Sequence, residues 1–302
     1  MSLFIMDRHL RIHHSSIQLL GGDCLERLRE LESASVDLIM TSPPYANQRK
    51  NTYGGIPADA YIEWFLPRAQ ELQRVLKPTG TFILNIREHV DQGERHPYVL
   101  QLILALKAQG WRWTEEYIWH KKNPMPGKWP NRFKNAWERL LQFNKQRKFQ
   151  MYQEAVMEQA ADGTKAKFRK PNAKDYQRIY SPTGSGVNIV RANFLNRRWV
   201  YPSNVLHMAV ESGNQGHSAV FPQALPAWFI RLFTQRDDLV LDPFMGSGTT
   251  CVATLAVGRD SIGIDAQPDY LALACQRLLR WGSNHDRPTR TTNRRNEARV
   301  RG

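Results

Sequence analysis

The stretch DLIMTSPPYANQ, Asp37 to Gln48, begins as an apolar strand and ends in a stiff elbow. The apolar run stops at Thr41-Ser42-Pro43-Pro44-Tyr45. Two successive prolines remove two backbone donors and fix φ twice. A hydroxyl, a rigid turn without N–H groups and an aromatic ring therefore meet at the mouth of a strand. Outward from this point the pattern is strand, helix, strand. IQLLGGD ends in a turn, CLERLREL has helical spacing, and VDLIM is a short apolar strand. Downstream, YIEWFLPRAQELQRVL reads as an amphipathic helix made irregular by Pro67, and KPTG turns the chain into the strand TFILNI. YVLQLILALKAQG reads as a helix with Gly110 near its end, and WRWTEEYIWHKK as a strand. Repeated β-α-β of this kind predicts a mostly parallel sheet with helices on both faces, a three-layer α/β/α arrangement.

The pattern breaks near Asn123. NPMPGKWPNRFKN is rich in Pro, basic residues and aromatics, and WERLLQFNK is strand-like. Residues 145–200 are irregular and hold twelve basic residues against four acidic ones. Order returns at 217 with a turn into a helix (HSAVFPQALPAWFIRLFT). It continues through DLVLDPFMGSGTTCVATLAVG as strand, turn and helix, then the strand DSIGID and the helix DYLALACQRLLRW. After Trp281 six arginines face only Asp286 and Glu297 without apolar periodicity, the composition of a disordered basic tail.

LVLDPFMGSGTT sets Gly246 and Gly248 between a strand and a helix. Glycine there lets the backbone approach a ligand, and a helix N-terminus offers free N–H groups. Asp265 ends the next strand, 19 residues after Gly246, where a carboxylate can accept both hydroxyls of a ribose. The constellation suits a dinucleotide and S-adenosylmethionine equally, since both carry adenosine. Cys251 occupies the place of the third glycine of the dinucleotide fingerprint.

The chain of 302 residues carries 42 Lys and Arg against 28 Asp and Glu, a formal charge of +14, which points to a polyanionic partner such as nucleic acid. Three scattered cysteines exclude a disulfide framework, and the histidines show no metal spacing, so no metal is expected. We read no signal peptide and no run long enough to span a membrane.

The elbow suits an exocyclic amine. Such a nitrogen is a poor nucleophile because its lone pair is delocalised into the base. Acceptors aimed at its two hydrogens, Ser42 Oγ and the Pro43 carbonyl, favour the tetrahedral geometry needed for attack, and Pro43 and Pro44 hold those acceptors still. Tyr45 offers a ring for the base to stack on. A base within a duplex must first be flipped out.

These residues resemble the amino DNA methyltransferases, whose catalytic motif is S/N/D-P-P-Y/F. TSPPY (41–45) resembles that motif and DPFMGSGTT resembles the family's cofactor loop. HSAVFPQALP (217–226) resembles the motif beside the methionine end of the cofactor, GGDC (21–24) the motif near the adenine, and YIWHKKNP (117–124) the passage into the recognition region. With the catalytic motif first and the cofactor loop near the end, the order resembles the circularly permuted β-group. The resemblance implies a Rossmann-like methyltransferase fold binding S-adenosylmethionine. Its domains would be an N-terminal extension (1–16), a catalytic half (17–125), an inserted target-recognition region (126–204), a cofactor half (205–281) and the basic tail (282–302). It implies Ser42, Pro43, Pro44 and Tyr45 as catalytic. Cofactor contacts would come from Asp23, Cys24, Thr41, His217, Phe221, Asp242, Pro243, Phe244, Gly246, Ser247, Gly248, Thr249, Thr250 and Asp265. Asp23 is equally suited to cap the helix after it.

Double-stranded DNA is the expected partner, with Lys121, Lys122, Lys128, Arg132, Lys134, Arg197 and Arg198 on its phosphates or bases. NFLNRRWVYPSNV (193–205) is a source of base-reading side chains. The resemblance also implies the prokaryotic cytoplasm, with the protein nucleoid-associated, and admits a cognate restriction endonuclease and a homodimer. By the same resemblance, serine at the elbow's first position implies cytosine N4, with adenine N6 as the alternative. An NAD-dependent oxidoreductase and a DNA-binding protein without catalysis remain as readings of other classes. C5 methylation is disfavoured, because no cysteine follows a proline.

Overall fold

The computed structural model describes residues 7–48, 55–127, 130–160, 170–180, 189–195, 198–211 and 221–285. His217, Lys128 and Arg197, named above as site residues, lie outside this set, as does most of the tail.

Among the described residues nine strands form one sheet: β1 (Arg8–Ile12), β2 (Ser15–Gly21), β3 (Val36–Thr41), β4 (Leu76–Ile86), β5 (Arg112–Lys121), β6 (Trp137–Asn144), β7 (Val205–Met208), β8 (Leu239–Asp242) and β9 (Asp260–Asp265). Their order is β1-β2-β9-β8-β3-β4-β6-β5-β7. Within it, β1 and β6 run against the other strands. The sheet is mostly parallel, as the alternating elements predict. Among the described residues six helices cover it: α1 (Cys24–Glu30), α2 (Tyr61–Val75), α3 (Tyr98–Ala108), α4 (Ala224–Phe233), α5 (Thr249–Val257) and α6 (Pro268–His285).

Side-chain alternation builds the layers. β3 is buried along its whole length. Ile39 packs with α1, α2 and α3 on one face, while Leu38 and Met40 pack with α4 on the other. Phe82 and Leu84 of β4 join the first cluster and Ile83 the second. A third cluster closes β1 and β2 against α5 and α6, with Ile12, Ile17, Leu19, Val252, Leu271 and Leu278. A strand buried on both faces needs an unbroken apolar run, and VDLIM meets that need except at Asp37. That carboxylate is buried and paired with Lys77 Nζ at 2.7 Å.

Three local expectations change. Arg8–Ile12, within the segment read as an N-terminal extension, is an edge strand paired along its length with β2. WERLLQFN, within the segment read as the recognition region, is the inner strand β6 between β4 and β5. α6 runs to His285, past Trp281 where the tail was placed. Pro67 lies inside α2 without dividing it.

The sheet order brings the C-terminal ends of β2, β9, β8 and β3 side by side, all pointing the same way. That is the edge where open α/β sheets bind ligands.

Candidate active site

The elbow begins where β3 ends. Pro43 and Pro44 are buried, and Ser42 and Tyr45 are half-buried. The Tyr61 hydroxyl donates to the Pro44 carbonyl at 3.0 Å, tying the turn to α2. Gln48 N closes the turn on the Tyr45 carbonyl at 3.1 Å. Behind the elbow the Ser42 hydroxyl lies 3.1 Å from Tyr45 Oη. Tyr45 Oη is 2.7 Å from Glu138 Oε2 on β6 and 3.3 Å from Asn85 Oδ1 on β4. Burial, and then the Glu138 carboxylate, push the Tyr45 phenol well above its ordinary pKa, so it stays protonated. The Arg87 guanidinium sits 5.6 Å from the centre of the Tyr45 ring.

The glycine turn follows β8. Asp242 is buried and orders the turn from both oxygens. Oδ1 accepts from Thr41 Oγ1 at 2.6 Å and from Phe244 N at 3.2 Å, and Oδ2 accepts from Thr250 Oγ1 at 2.6 Å. Desolvation outweighs these bonds and raises its pKa from 3.8 to about 6. Gly246 N donates to Asp265 Oδ2 at 2.8 Å. Gly248 caps α5 with φ +79°, and a Cβ there would stand 2.8 Å from the Cβ of Ala274 on α6. Glycine is needed at that position both for its conformation and for the helix packing.

Between elbow and turn lies a cleft of about 290 Å³. Asp23, Cys24, Pro44, Pro243, Phe244 and Asp265 line it, together with Trp64, Arg68 and Gln267. The Phe244 and Trp64 rings are 5.7 Å apart, and Arg68 lies 4.4 Å from the Trp64 ring. Arg68 Nε is buried without a hydrogen-bond partner. A Cβ built on Gly246 would meet nothing within 4 Å. The cleft thus offers aromatic side chains and a buried carboxylate, the requirements of a flat heterocycle joined to a sugar with hydroxyls.

The expected residues divide into those that face the cleft and those that support it. Asp23 does cap α1, accepting from Leu25 N at 2.8 Å, while its other oxygen takes Arg68 at 2.8 Å. Ser247 and Thr249 turn to Arg277 of α6, whose guanidinium reaches the Ser247 carbonyl and hydroxyl at 2.8 Å and the Thr249 hydroxyl at 3.0 Å. Thr41 and Thr250 are spent on Asp242. Phe221 is buried in the cluster beneath α4 rather than in the cleft lining. Burial raises the pKa of the Cys24 and Cys251 thiols to about 12, which leaves neither a thiolate nucleophile.

The basic residues also divide. Lys122, Lys134 and Arg198 are exposed and Arg132 is half-buried. Lys121 is turned inward, its Nζ 2.5 Å from Glu138 Oε1 and 4.8 Å from the Trp119 ring. Phe133 projects with 94% of its surface exposed. Among the described residues no group of three or more His, Cys, Asp or Glu is placed to hold a metal, and no helix is long and apolar enough to cross a membrane.

Sequence reading missed Glu138, Asn85, Trp64, Arg68 and Arg277. None stands in a motif; each reaches the site from a strand or helix remote in sequence. The one signal available was at Glu138, an acid beside the apolar pair Leu140-Leu141 in the strand WERLLQFN.

Known proteins share this architecture. The chain is 29% identical over 296 residues to the type II methyltransferase M.PvuII of Proteus hauseri, covering 90% of this chain and 87% of that protein. It is 30% identical to the type II methyltransferase M.Cfr9I of Citrobacter freundii, covering 86% and 87%. In three dimensions it matches the PvuII DNA methyltransferase, described as cytosine-N4-specific, with a TM-score of 0.65 and 24% identity over 89% of this chain and 92% of that one. A Thermus thermophilus protein complexed with S-adenosyl-L-methionine matches with a TM-score of 0.56 and 24% identity over 87% and 93%. At such identities these two structures speak for the fold alone. The family model described as DNA methylase matches residues 36–276. A match over most of its length, together with the M.Cfr9I relationship, makes this protein a member of the DNA methylase family.

Proposed function

We propose that the protein transfers a methyl group from S-adenosylmethionine to the N4 amine of a cytosine swung out of duplex DNA. The observation that carries this reading is the 2.6 Å bond from Thr41 to Asp242, which ties the elbow to the glycine turn at the rim of one cleft. S-adenosylmethionine supplies an electrophilic methyl group on a sulfonium. Asp265, Phe244 and Trp64 are the residues to hold its adenosine, the ring against the aromatic side chains and the ribose hydroxyls on the carboxylate. Asp242 and Arg277 keep the turn in shape.

The chain's own chemistry then lies at the elbow. Ser42 Oγ and the Pro43 carbonyl accept from the two hydrogens of the amine and direct its lone pair at the methyl. No general base is needed before transfer, since the proton can leave the methylated nitrogen afterwards. Serine at position 42 supports cytosine, by its resemblance to the family's motif. The dinucleotide reading loses its support, because it leaves the elbow without a use. We assign base reading to the irregular part of 126–204 outside β6. We further propose work on bacterial DNA in the cytoplasm alongside a cognate restriction endonuclease.

The test is direct. Duplex DNA incubated with the protein and S-adenosylmethionine is digested to nucleosides and the products weighed. N4-methyldeoxycytidine is expected. N6-methyldeoxyadenosine in its place would overturn the choice of base, and no methylated nucleoside would overturn the activity.

A further inference from the structure

Glu138 stands behind the elbow with only 2% of its surface exposed, on an inner strand where a carboxylate is costly. Lys121 meets one oxygen at 2.5 Å, and the other faces Tyr45 Oη at 2.7 Å. Asn85 also approaches Tyr45 Oη, at 3.3 Å, with its carbonyl oxygen. That orientation is set by its own Nδ2, which donates to the Arg139 carbonyl at 3.0 Å. Both polar groups on the far side of the phenol are therefore acceptors.

A hydroxyl has one hydrogen and two lone pairs. Left to themselves, the Ser42 and Tyr45 hydroxyls could bond in either direction across their 3.1 Å. A carboxylate held in an ion pair can only accept, so it claims the Tyr45 hydrogen. Tyr45 Oη must then accept from Ser42, whose hydrogen points back into the protein. What Ser42 keeps for any other partner is lone pairs. A lone pair there attracts an amine hydrogen and repels a carbonyl oxygen.

Resting on the reading that the target is an exocyclic base amine, we propose that Glu138 is a positioning residue that acts through Tyr45 to fix Ser42 as an acceptor, so that the site takes an amine and rejects a carbonyl at the same place. Lys121 belongs to this device, balancing the buried carboxylate, rather than to the DNA face. Glu138→Gln loosens the chain. The amide oxygen stays with Lys121, the amide N–H₂ faces Tyr45, and the phenol hydrogen, left only the long 3.3 Å contact to Asn85 Oδ1, is free to turn toward Ser42.

The test uses the full-length protein and a duplex whose methylated base has been located by nucleoside analysis and sequencing. A second duplex carries the carbonyl counterpart there, uracil for cytosine or hypoxanthine for adenine. The readout is the ratio of the two dissociation constants, in which the cost of opening either base pair cancels between enzyme variants. Glu138→Gln should narrow this ratio about tenfold, the worth of one well-placed hydrogen bond, and slow single-turnover methylation while S-adenosylmethionine affinity stays within twofold. Tyr45→Phe keeps the ring and the Glu138–Lys121 pair but cuts the chain, and should narrow the ratio likewise. Adding Glu138→Gln to Tyr45→Phe should do no more. An unchanged ratio in both single variants, or a full extra loss in the double variant, would overturn the proposal. If the wild-type protein methylates no base amine, it is the underlying activity that fails instead, and the variants are not needed to see it.

Discussion

Thr41 donates its hydroxyl to Asp242 Oδ1 across 2.6 Å, joining residues 201 positions apart in sequence. Thr41 ends β3 and Asp242 ends β8, and the two strands are parallel neighbours. One buried bond thus sets the distance between the elbow and the glycine turn. Thr41→Val keeps the volume and removes the donor. Loss of a buried hydrogen-bond partner should lower unfolding stability by about 1–3 kcal/mol. Methylation should slow while the fold persists. A urea midpoint with an unchanged slope, beside single-turnover rates, reads both effects.

Asp242 makes stability depend on pH in an unusual direction. Folded, its carboxyl holds a proton up to about pH 6 because it is buried; unfolded, it releases near 3.8. Between those values the folded state binds more protons, so this group's contribution falls as pH rises through the window and is flat above it. The stability of the wild type relative to Asp242→Asn should decline by about 2 kcal/mol from pH 4 to pH 6.5, at up to roughly 1.4 kcal/mol for each pH unit of the window. A relative stability that rises over that range would contradict the assignment.

Ser42→Ala and Tyr45→Ala remove groups of the elbow and leave the Asp242 and Asp265 bonds untouched. Calorimetry should show S-adenosylmethionine affinity within a few-fold of wild type. The methylation rate should drop by about a hundredfold or more, the usual effect of deleting a preorganised polar group at a reacting centre. Full methylation of duplex DNA by either variant would remove the elbow from the mechanism.

Trp64 is the aromatic wall that no motif announces. Its ring lies 5.7 Å from Phe244 and supports Arg68. Trp64→Ala should weaken S-adenosylmethionine binding by about tenfold, consistent with the worth of an aromatic contact plus its buried area. Calorimetric affinity unaltered by the change would place the adenine elsewhere.

Lys121 and Lys122 are neighbours with opposite surroundings. Lys122 is exposed, and Lys121 is spent on Glu138. If Lys122 neutralises one phosphate, Lys122→Ala should reduce the slope of log affinity against log salt by about 0.9. Lys121→Ala should leave that slope unaltered and instead destabilise the protein, since it strands a buried carboxylate. Equal salt effects from both would refute the distinction.

By itself the sequence determined what local chemistry can write. Apolar runs of strand length alternating with helical periods specified the three layers. TSPPY and DPFMGSGTT declared themselves because prolines and glycines act on the backbone where they stand. Asp265 was legible because a carboxylate at the end of a strand needs only its own strand to be placed. The tertiary structure alone decided the rest. Antiparallel β6 lies inside the sheet because its pairing with β4 and β5 answers to neighbours, not to its own composition. Thr41, Ser247, Thr249 and Thr250 proved to hold the turn rather than face the cleft, since a hydroxyl bonds whichever acceptor packing brings near. Glu138 and Lys121 became one ion pair for the same reason. Sequence spacing carries the period of a strand or helix, but the direction of a hydrogen bond depends on atoms that only the folded chain brings within about 3 Å of each other.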